Sequence, residues 1–205
     1  WDLVEVYMAH EERNRQYSGK SIEQISKEQG KGIMDAFLDL VLDDDLRTSF
    51  QVIDRNNDTE SQREIFGSPY TVIGTTDGGA RPDKGDRTTY STHLLGYWVR
   101  EKQVMSLEEA VYRMTGKTAI MHDLHDRGFI AAGKAADITI FDPDTITSTP
   151  REPMYSFPGG EMHVKQGATG INYVIVNGEV LLENGEHTGA LPGQVLRGPL
   201  YQVKK

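Results

Sequence analysis

The sequence predicts an α/β fold, and three observations carry that expectation. Apolar strand-like runs alternate with amphipathic helical stretches up to about residue 128. One of those runs, Thr71 to Thr75, is β-branched and apolar on both faces, as a strand buried in a parallel sheet would be. Past Arg127 the texture changes to short strands joined by Asn-Gly pairs, an all-β signature.

Taken in order, Leu3 to Met8 alternates as a strand. Ser21 opens a helix, with Gln24 as its capping-box partner and Gly30 as its stop. A second helix places Ile33, Met34, Phe37, Leu40 and Val41 on one apolar face. A short strand is expected at Phe50 to Ile53 and a short helix near Thr59 to Ile65. The strand Thr71 to Thr75 then leads into the polar loop TTDGGARPDKGDRTTY. Helices follow at Thr92 to Glu101, from Ser106 with Glu109 as a second capping box, and near Lys117 to Leu124. Ala136 to Phe141 reads as a strand stopped by Asp142-Pro143. Thr145 to Gly170, rich in Pro and Gly, reads as a wrapping loop. Ile171 to Val176 and Glu179 to Glu183, separated by Asn177-Gly178, make a hairpin with a type I′ turn.

Composition narrows the function classes. The 205 residues carry 31 acidic and 22 basic side chains, a formal charge of −9, and no cysteine. An acidic chain is a poor partner for nucleic acid or for an anionic membrane surface. Without cysteine there is neither a disulfide framework nor a thiolate metal site. No apolar run approaches the roughly 20 residues that span a bilayer. The composition fits a cytoplasmic protein. Trp1 stands in an apolar stretch where a start Met would be, which reads as the interior of a longer polypeptide; a mature chain after leader removal is the alternative.

The richest chemical candidate is Asp77, just past the carboxyl end of an apolar strand and followed by Gly78 and Gly79. In parallel α/β folds that end of the sheet carries the functional groups. Glycines there let the backbone approach a ligand, although an Asp at such a place also orders its own turn. Arg81, Lys84 and Arg87 in the same loop are cations suited to a substrate carboxylate, or simply solvated. His93 opens the next helix and can face the same cleft. His122 and His125 sit three apart without a further ligand nearby and read as surface residues. There is no Walker loop, no dinucleotide fingerprint after a strand and no nucleophile elbow.

The segments WDLVEVYMAH, YSGKSIEQISKEQGK, MDAFLDLVLDDDL, TVIGTTDGGA, THLLGYWVREKQVMSLEEAVYRMTGKTA, DRGFIAAGKAADITIFDPDTI and INYVIVNGEVLLENGEHTGALPGQVLRG occur in that order. In this order they resemble the C-terminal part of the metal-dependent amidohydrolase superfamily. The branch they are most similar to is that of the D-aminoacylases, or N-acyl-D-amino-acid deacylases. The resemblance covers nearly the whole chain. It implies the C-terminal portion of a (β/α)8 TIM-like barrel, residues 1–128, followed by part of a small β-sandwich domain, residues 129–205.

The resemblance also implies a chemistry. Asp77 matches the aspartate at the end of the last barrel strand, the proton shuttle between a metal-bound water and the leaving amine, and it is a possible metal ligand as well. A divalent metal, zinc in this branch, lowers the pKa of its water to near 7, and a carboxylate within reach can move that proton both ways. The family's His-x-His pair, bridging residue and later histidines find no match here, so those ligands are expected upstream of residue 1. Arg87 falls near the arginine of the His-Pro-Arg stretch of the best-known members, while His93 stands in a Thr-His-Leu-Leu-Gly variant. Arg87, Arg81, His93 and Gly78 are therefore the substrate-binding candidates.

The implied substrate is a small amide, an N-acyl-amino acid above all. The implied partner is the missing N-terminal part of the same enzyme, or another chain that supplies it, because a hairpin and one strand make too small a sheet to stand alone. By itself this stretch would be inactive. Homo-oligomerisation is compatible with the resemblance. Two rivals stay open: a cyclic-amide hydrolase or deaminase of the same superfamily, and a non-catalytic binding protein that keeps the barrel shell.

Overall fold

The computed structural model describes residues 1–53, 58–74, 76 and 88–197. They fall into two compact units. The first takes Trp1–Gln62 with Arg151–Lys165, and the second takes the remaining described residues from Arg63 onward.

The first unit starts with β1 (Val4–Met8), which pairs antiparallel with β2 (Ser49–Val52). A 3-10 turn at Glu12–Tyr17 separates β1 from α1 (Ile22–Gln29) and α2 (Ile33–Asp43). The capping box at the start of α1 forms in both halves. Gln24 N–H donates to Ser21 Oγ at 3.2 Å, and Ser21 N–H donates to Gln24 Oε1 at 2.9 Å. Gly30 ends α1 in the left-handed region at φ 63°. The core consists of Val6, Ala9, Ile22, Ile25, Ala36 and Leu40. α1 places Ile22 and Ile25 in this core and α2 places Ala36 and Leu40, with Ile33 and Phe37 packed against it, whereas Met34 of the expected apolar face is exposed.

The second unit contains most of α3 (Thr59–Gly67), then α4 (Tyr90–His93), which widens into a π-helical stretch over Leu94–Glu101. Lys102 N–H closes that stretch on the Tyr97 carbonyl at 2.8 Å, five residues back. α5 (Leu107–Met114) and α6 (Gly116–Met121) follow. At α5 only half of the second capping box forms: Glu109 N–H donates to Ser106 Oγ at 3.2 Å. The Glu109 carboxylate turns instead to Arg113, 2.5 Å away. Leu94, Leu95, Ala110 and Ile146 form the buried centre, with Phe66, Ile73 and Trp98 packed against it.

Two expectations change here. Among the described residues of the first 128, the one strand pair is β1–β2, and it is antiparallel rather than part of a parallel sheet. Thr71–Gly74 is not a strand. A parallel strand exists only where a neighbour takes its amides and carbonyls. Here the Thr71 carbonyl is taken by side chains, Lys117 Nζ at 2.6 Å and Arg113 at 3.4 Å.

The β portion keeps its predicted hairpin. β3 (Ile138–Phe141), β6 (Ile171–Val176), β7 (Glu179–Glu183) and β8 (Glu186–His187) form one sheet in the order β3-β6-β7-β8, each pairing antiparallel. Asn177 and Gly178 take φ 50° and 82°, as a type I′ turn demands. The expected loop between Thr145 and Gly170 instead contains β4 (Thr147–Met154) and β5 (His163–Thr169), a two-stranded sheet. Pro150 and Pro153 masked β4 in the sequence. A two-stranded sheet has free edges on which a missing N–H costs nothing. No helix among the described residues is long and apolar enough to cross a membrane.

Candidate active site

Asp77, Gly78, Arg81 and Arg87 lie outside the described residues, so the site is defined by what holds the chain on either side of them. On the entry side the anchors come from α5 and α6. Arg113 is buried, at 5% exposure, and its guanidinium donates to the carbonyls of Gly67 (3.3 Å), Ser68 (3.1 Å) and Thr71 (3.4 Å). Lys117 Nζ donates to the carbonyls of Pro69 at 3.0 Å and Thr71 at 2.6 Å. The two cations thus take up the carbonyls of the turn leading into the candidate loop. A buried guanidinium is tolerable only when its donors are met, and here three carbonyls and the Glu109 carboxylate meet those of Arg113. Farther along, Ile73 packs on the unit's apolar core.

On the exit side Thr92 Oγ1 donates to the Thr89 carbonyl at 3.1 Å and lies 3.0 Å from Ser148 Oγ. Ser148 Oγ reaches the same carbonyl at 3.3 Å. One backbone oxygen is thereby tied by two hydroxyls just where α4 begins.

His93 ends α4, exposed, with its ring stacked on Tyr97 at a centroid distance of 5.0 Å and an interplanar angle of 11°. It also meets the edge of Trp98 at 6.4 Å. In the wider π turn, residues four and five ahead both come beside a given side chain, so one imidazole touches two successive aromatics. Trp98 in turn packs edge-on against Phe66 at 5.6 Å. The imidazole orientation is therefore fixed from the core outward.

His122 and His125 are exposed, and His125 Nε2 pairs with Asp123 at 2.8 Å. Among the described residues no three of His, Cys, Asp and Glu converge to hold a metal ion. An open polar cleft of the first unit, lined by Asn14, Tyr17, Gln29, Asp39 and Asp43, contains none of the sequence-predicted site residues.

Arg113 and Lys117 were not among the candidates read from the sequence. The signal available was that Arg113 occupies the buried side of α5 beside Ala110, where an apolar residue belongs, and that Glu109 stands four residues before it.

The amidohydrolase family matches over residues 7–182. An N-acyl-D-aspartate deacylase of Alcaligenes xylosoxydans xylosoxydans is 38% identical over 143 residues, which are 68% of this chain and 26% of that protein. A D-aminoacylase of the same organism is 30% identical over 181 residues, 87% of this chain and 34% of that protein. The solved N-acyl-D-glutamate deacylase of Bordetella bronchiseptica, complexed with zinc and a phosphonate inhibitor, is similar with a TM-score of 0.51 at 25% identity. That match covers 96% of this chain and 38% of the other. The chain spans about a quarter to a third of the length of the two Alcaligenes relatives. It belongs to the amidohydrolase family, in its D-aminoacylase-like branch.

Proposed function

We propose that the enzyme containing these residues hydrolyses the amide bond of N-acyl-D-amino acids, with Asp77 as its general base and acid. The observation that carries this reading is the similarity to two curated deacylases over 68% and 87% of the chain. In this reading residues 1–128 supply the last βα units of a (β/α)8 barrel and residues 129–205 the C-terminal half of a composite β-sandwich.

Water adds to the acyl carbonyl, and the Asp77 carboxylate accepts a proton from it. As the C–N bond breaks, the same proton passes to the departing amine, leaving a carboxylate and a free amino acid. Gly78 gives the backbone room at the substrate, and Arg87, Arg81 and His93 are assigned to the substrate's carboxylate. Arg suits that task because its fork matches a carboxylate with two parallel hydrogen bonds.

Zinc, the metal of the Bordetella relative, is the cofactor we assign to the whole enzyme. The described residues do not fit a metal cage, since no three ligating side chains converge among them. In this reading the cage comes from outside the described residues, with Asp77 as one candidate member.

The test is turnover of the full-length, zinc-loaded enzyme on N-acetyl-D-aspartate, N-acetyl-D-glutamate and neutral N-acetyl-D-amino acids, beside hydantoins and aminopurines. Amide hydrolysis confined to the N-acyl-D-amino acids is expected. Asp77→Asn should lower kcat by about 10²–10⁴-fold. Activity on the cyclic amides or aminopurines alone, or full turnover by Asp77→Asn, refutes the assignment.

A further inference from the structure

We infer that Asn184 is a site of spontaneous covalent modification, cyclising onto the nitrogen of Gly185 with loss of ammonia, while the fold keeps the like pair Asn177-Gly178 unreactive. Nothing in this depends on the role assigned to Asp77.

The dipeptide fixes the chemistry. Gly185 N attacks Cγ of Asn184, the Cγ–Nδ2 bond breaks, and Nδ2 leaves as ammonia with the proton given up by the attacking nitrogen. Water then opens the five-membered imide. Breaking the bond from Gly185 N to Cγ leaves an aspartate at position 184. Breaking the bond from the same nitrogen to the main-chain carbonyl carbon leaves an isoaspartate, with the backbone routed through the side chain. Either product adds one negative charge to the chain. Glycine in second place favours the attack because no Cβ shields its nitrogen.

Both pairs occupy the same kind of turn. Asn177 and Gly178 take φ 50° and 82°, and Asn184 and Gly185 take 48° and 88°. In a type I′ turn the asparagine ψ is about +30°, which puts the next nitrogen on the far side of the Cα–C bond from Cβ. Attack needs the reacting atoms in near contact. The peptide after the asparagine therefore has to swing round in either turn.

At Asn177 that peptide is held. Gly178 N–H donates to the Ala136 carbonyl at 3.0 Å, and Asn177 Nδ2 donates to the Pro192 carbonyl at 2.8 Å. The Asn177 N–H donates to the Asp137 carboxylate at 2.8 Å, which also accepts from Arg127 at 3.0 Å. Nucleophile and leaving group are both engaged, and the turn closes the β6–β7 ladder from Tyr173↔Glu183 to Val176↔Glu179. At Asn184 the backbone N–H donates to the Asn172 carbonyl at 2.7 Å. That bond lies on the other side of Cα from the rotation required and does not oppose it. The turn there leads into β8, only two residues long, paired as Leu182↔His187 and Glu183↔Glu186. Two hydrogen bonds that must break first, on Gly178 N and on Asn177 Nδ2, slow the Asn177 reaction by at least about tenfold.

The experiment incubates the full-length zinc-loaded enzyme in warm, mildly alkaline buffer, beside a sample unfolded in guanidinium chloride. Fragment-ion mass spectrometry of the tryptic peptide 166–197 resolves the two asparagines, and enzymatic methylation of isoaspartate is the second readout. In the folded enzyme, product should form at Asn184 at least about tenfold faster than at Asn177. In the unfolded chain the two rates should converge, because Val-Asn-Gly-Glu and Glu-Asn-Gly-Glu differ only before the asparagine. Asn184→Gln should remove the fast isoaspartate signal. Equal rates in the folded enzyme, a faster reaction at Asn177, or an inert Asn184 overturns the inference. So does a preference for Asn184 that persists after unfolding, since the fold would then not be its cause.

Discussion

Both carboxylate oxygens of Asp44 lie 3.1 Å from the backbone nitrogen of His10. Glu11 N–H adds a third contact at 2.7 Å and Thr48 Oγ1 a fourth at 2.8 Å, so this side chain, with no exposed surface, joins three separate stretches of the first unit. Its place is unfavourable by one rule: it caps the C-terminal end of α2, where the helix dipole disfavours negative charge by about 0.3–1 kcal/mol. Donors facing a buried carboxylate outweigh that, at about 1.5–3 kcal/mol for each hydrogen bond to a charged group.

The consequence for pH has a definite sign. Burial on its own raises the Asp44 carboxyl, but the backbone donors of Glu11 and His10 and the Thr48 hydroxyl together bring it below the usual carboxylate range. A group whose folded pKa is depressed adds stability above its unfolded pKa, and that contribution is lost as pH falls through the folded value. Asp44→Asn should therefore speed amide exchange of His10 and Glu11 at pH 7, by an amount that shrinks below about pH 4. Hydrogen exchange of peptides covering residues 8–13 reads this directly. A difference between the two proteins that grows as the pH is lowered contradicts it.

Just past Asp44 the backbone enters the left-handed region twice without glycine, at Asp45 (φ 55°) and Leu46 (φ 58°). The left-handed conformation costs an L-residue roughly 1–2 kcal/mol. Leu46 is 70% exposed, so its side chain offers little burial in return. What holds the turn is the Asp44 cluster together with Arg47, whose guanidinium meets Glu11 at 2.7 Å. Leu46→Gly should raise stability by about 0.5–1 kcal/mol, the relieved strain exceeding the extra backbone entropy of glycine in the unfolded chain. A melting temperature below that of the parent protein would contradict this balance.

The local rules of the first unit were written in its sequence. The α1 capping box, its glycine stop and the apolar face of α2, Met34 excepted, all depend on residues within a few positions of one another. The Asn177-Gly178 hairpin was legible for the same reason. What the sequence hid were structures whose partners are distant or atypical. β4 disguises itself with two prolines. Thr71–Thr75 has the composition of a buried strand, but composition cannot supply the neighbour that makes a ladder. Of the candidate site, the position of His93 beside Tyr97 and Trp98 depends on a π turn that periodicity read as an ordinary helix. Arg113 and Lys117 act on carbonyls more than forty positions away, and no spacing rule announces such a contact.

Gly96 and Gly67 make opposite predictions from the same chemical change. Gly96 lies in the π-helical stretch, where a Cβ would fall 2.7 Å from the Ile146 carbonyl oxygen and 3.2 Å from Thr147 Cα. Those are backbone atoms of a buried segment, and Ile146 is only 2% exposed, so relief requires moving β4 or the helix. The same carbonyl accepts from Arg100 at 2.7 Å, and any shift that admits a methyl group also lengthens that bond. Overpacking of this kind costs about 1–3 kcal/mol, against about 0.5–1 kcal/mol gained by replacing glycine inside a helix, so the clash prevails. Gly67, at the end of α3, has nothing within 4 Å of its would-be Cβ and is not among the positive-φ glycines. Gly96→Ala should lower the melting temperature and loosen amide protection across residues 94–101, whereas Gly67→Ala should leave stability unchanged or raise it by up to about 1 kcal/mol. If the two variants melt alike, the close approach of the π turn to Ile146 does not limit the packing of this unit.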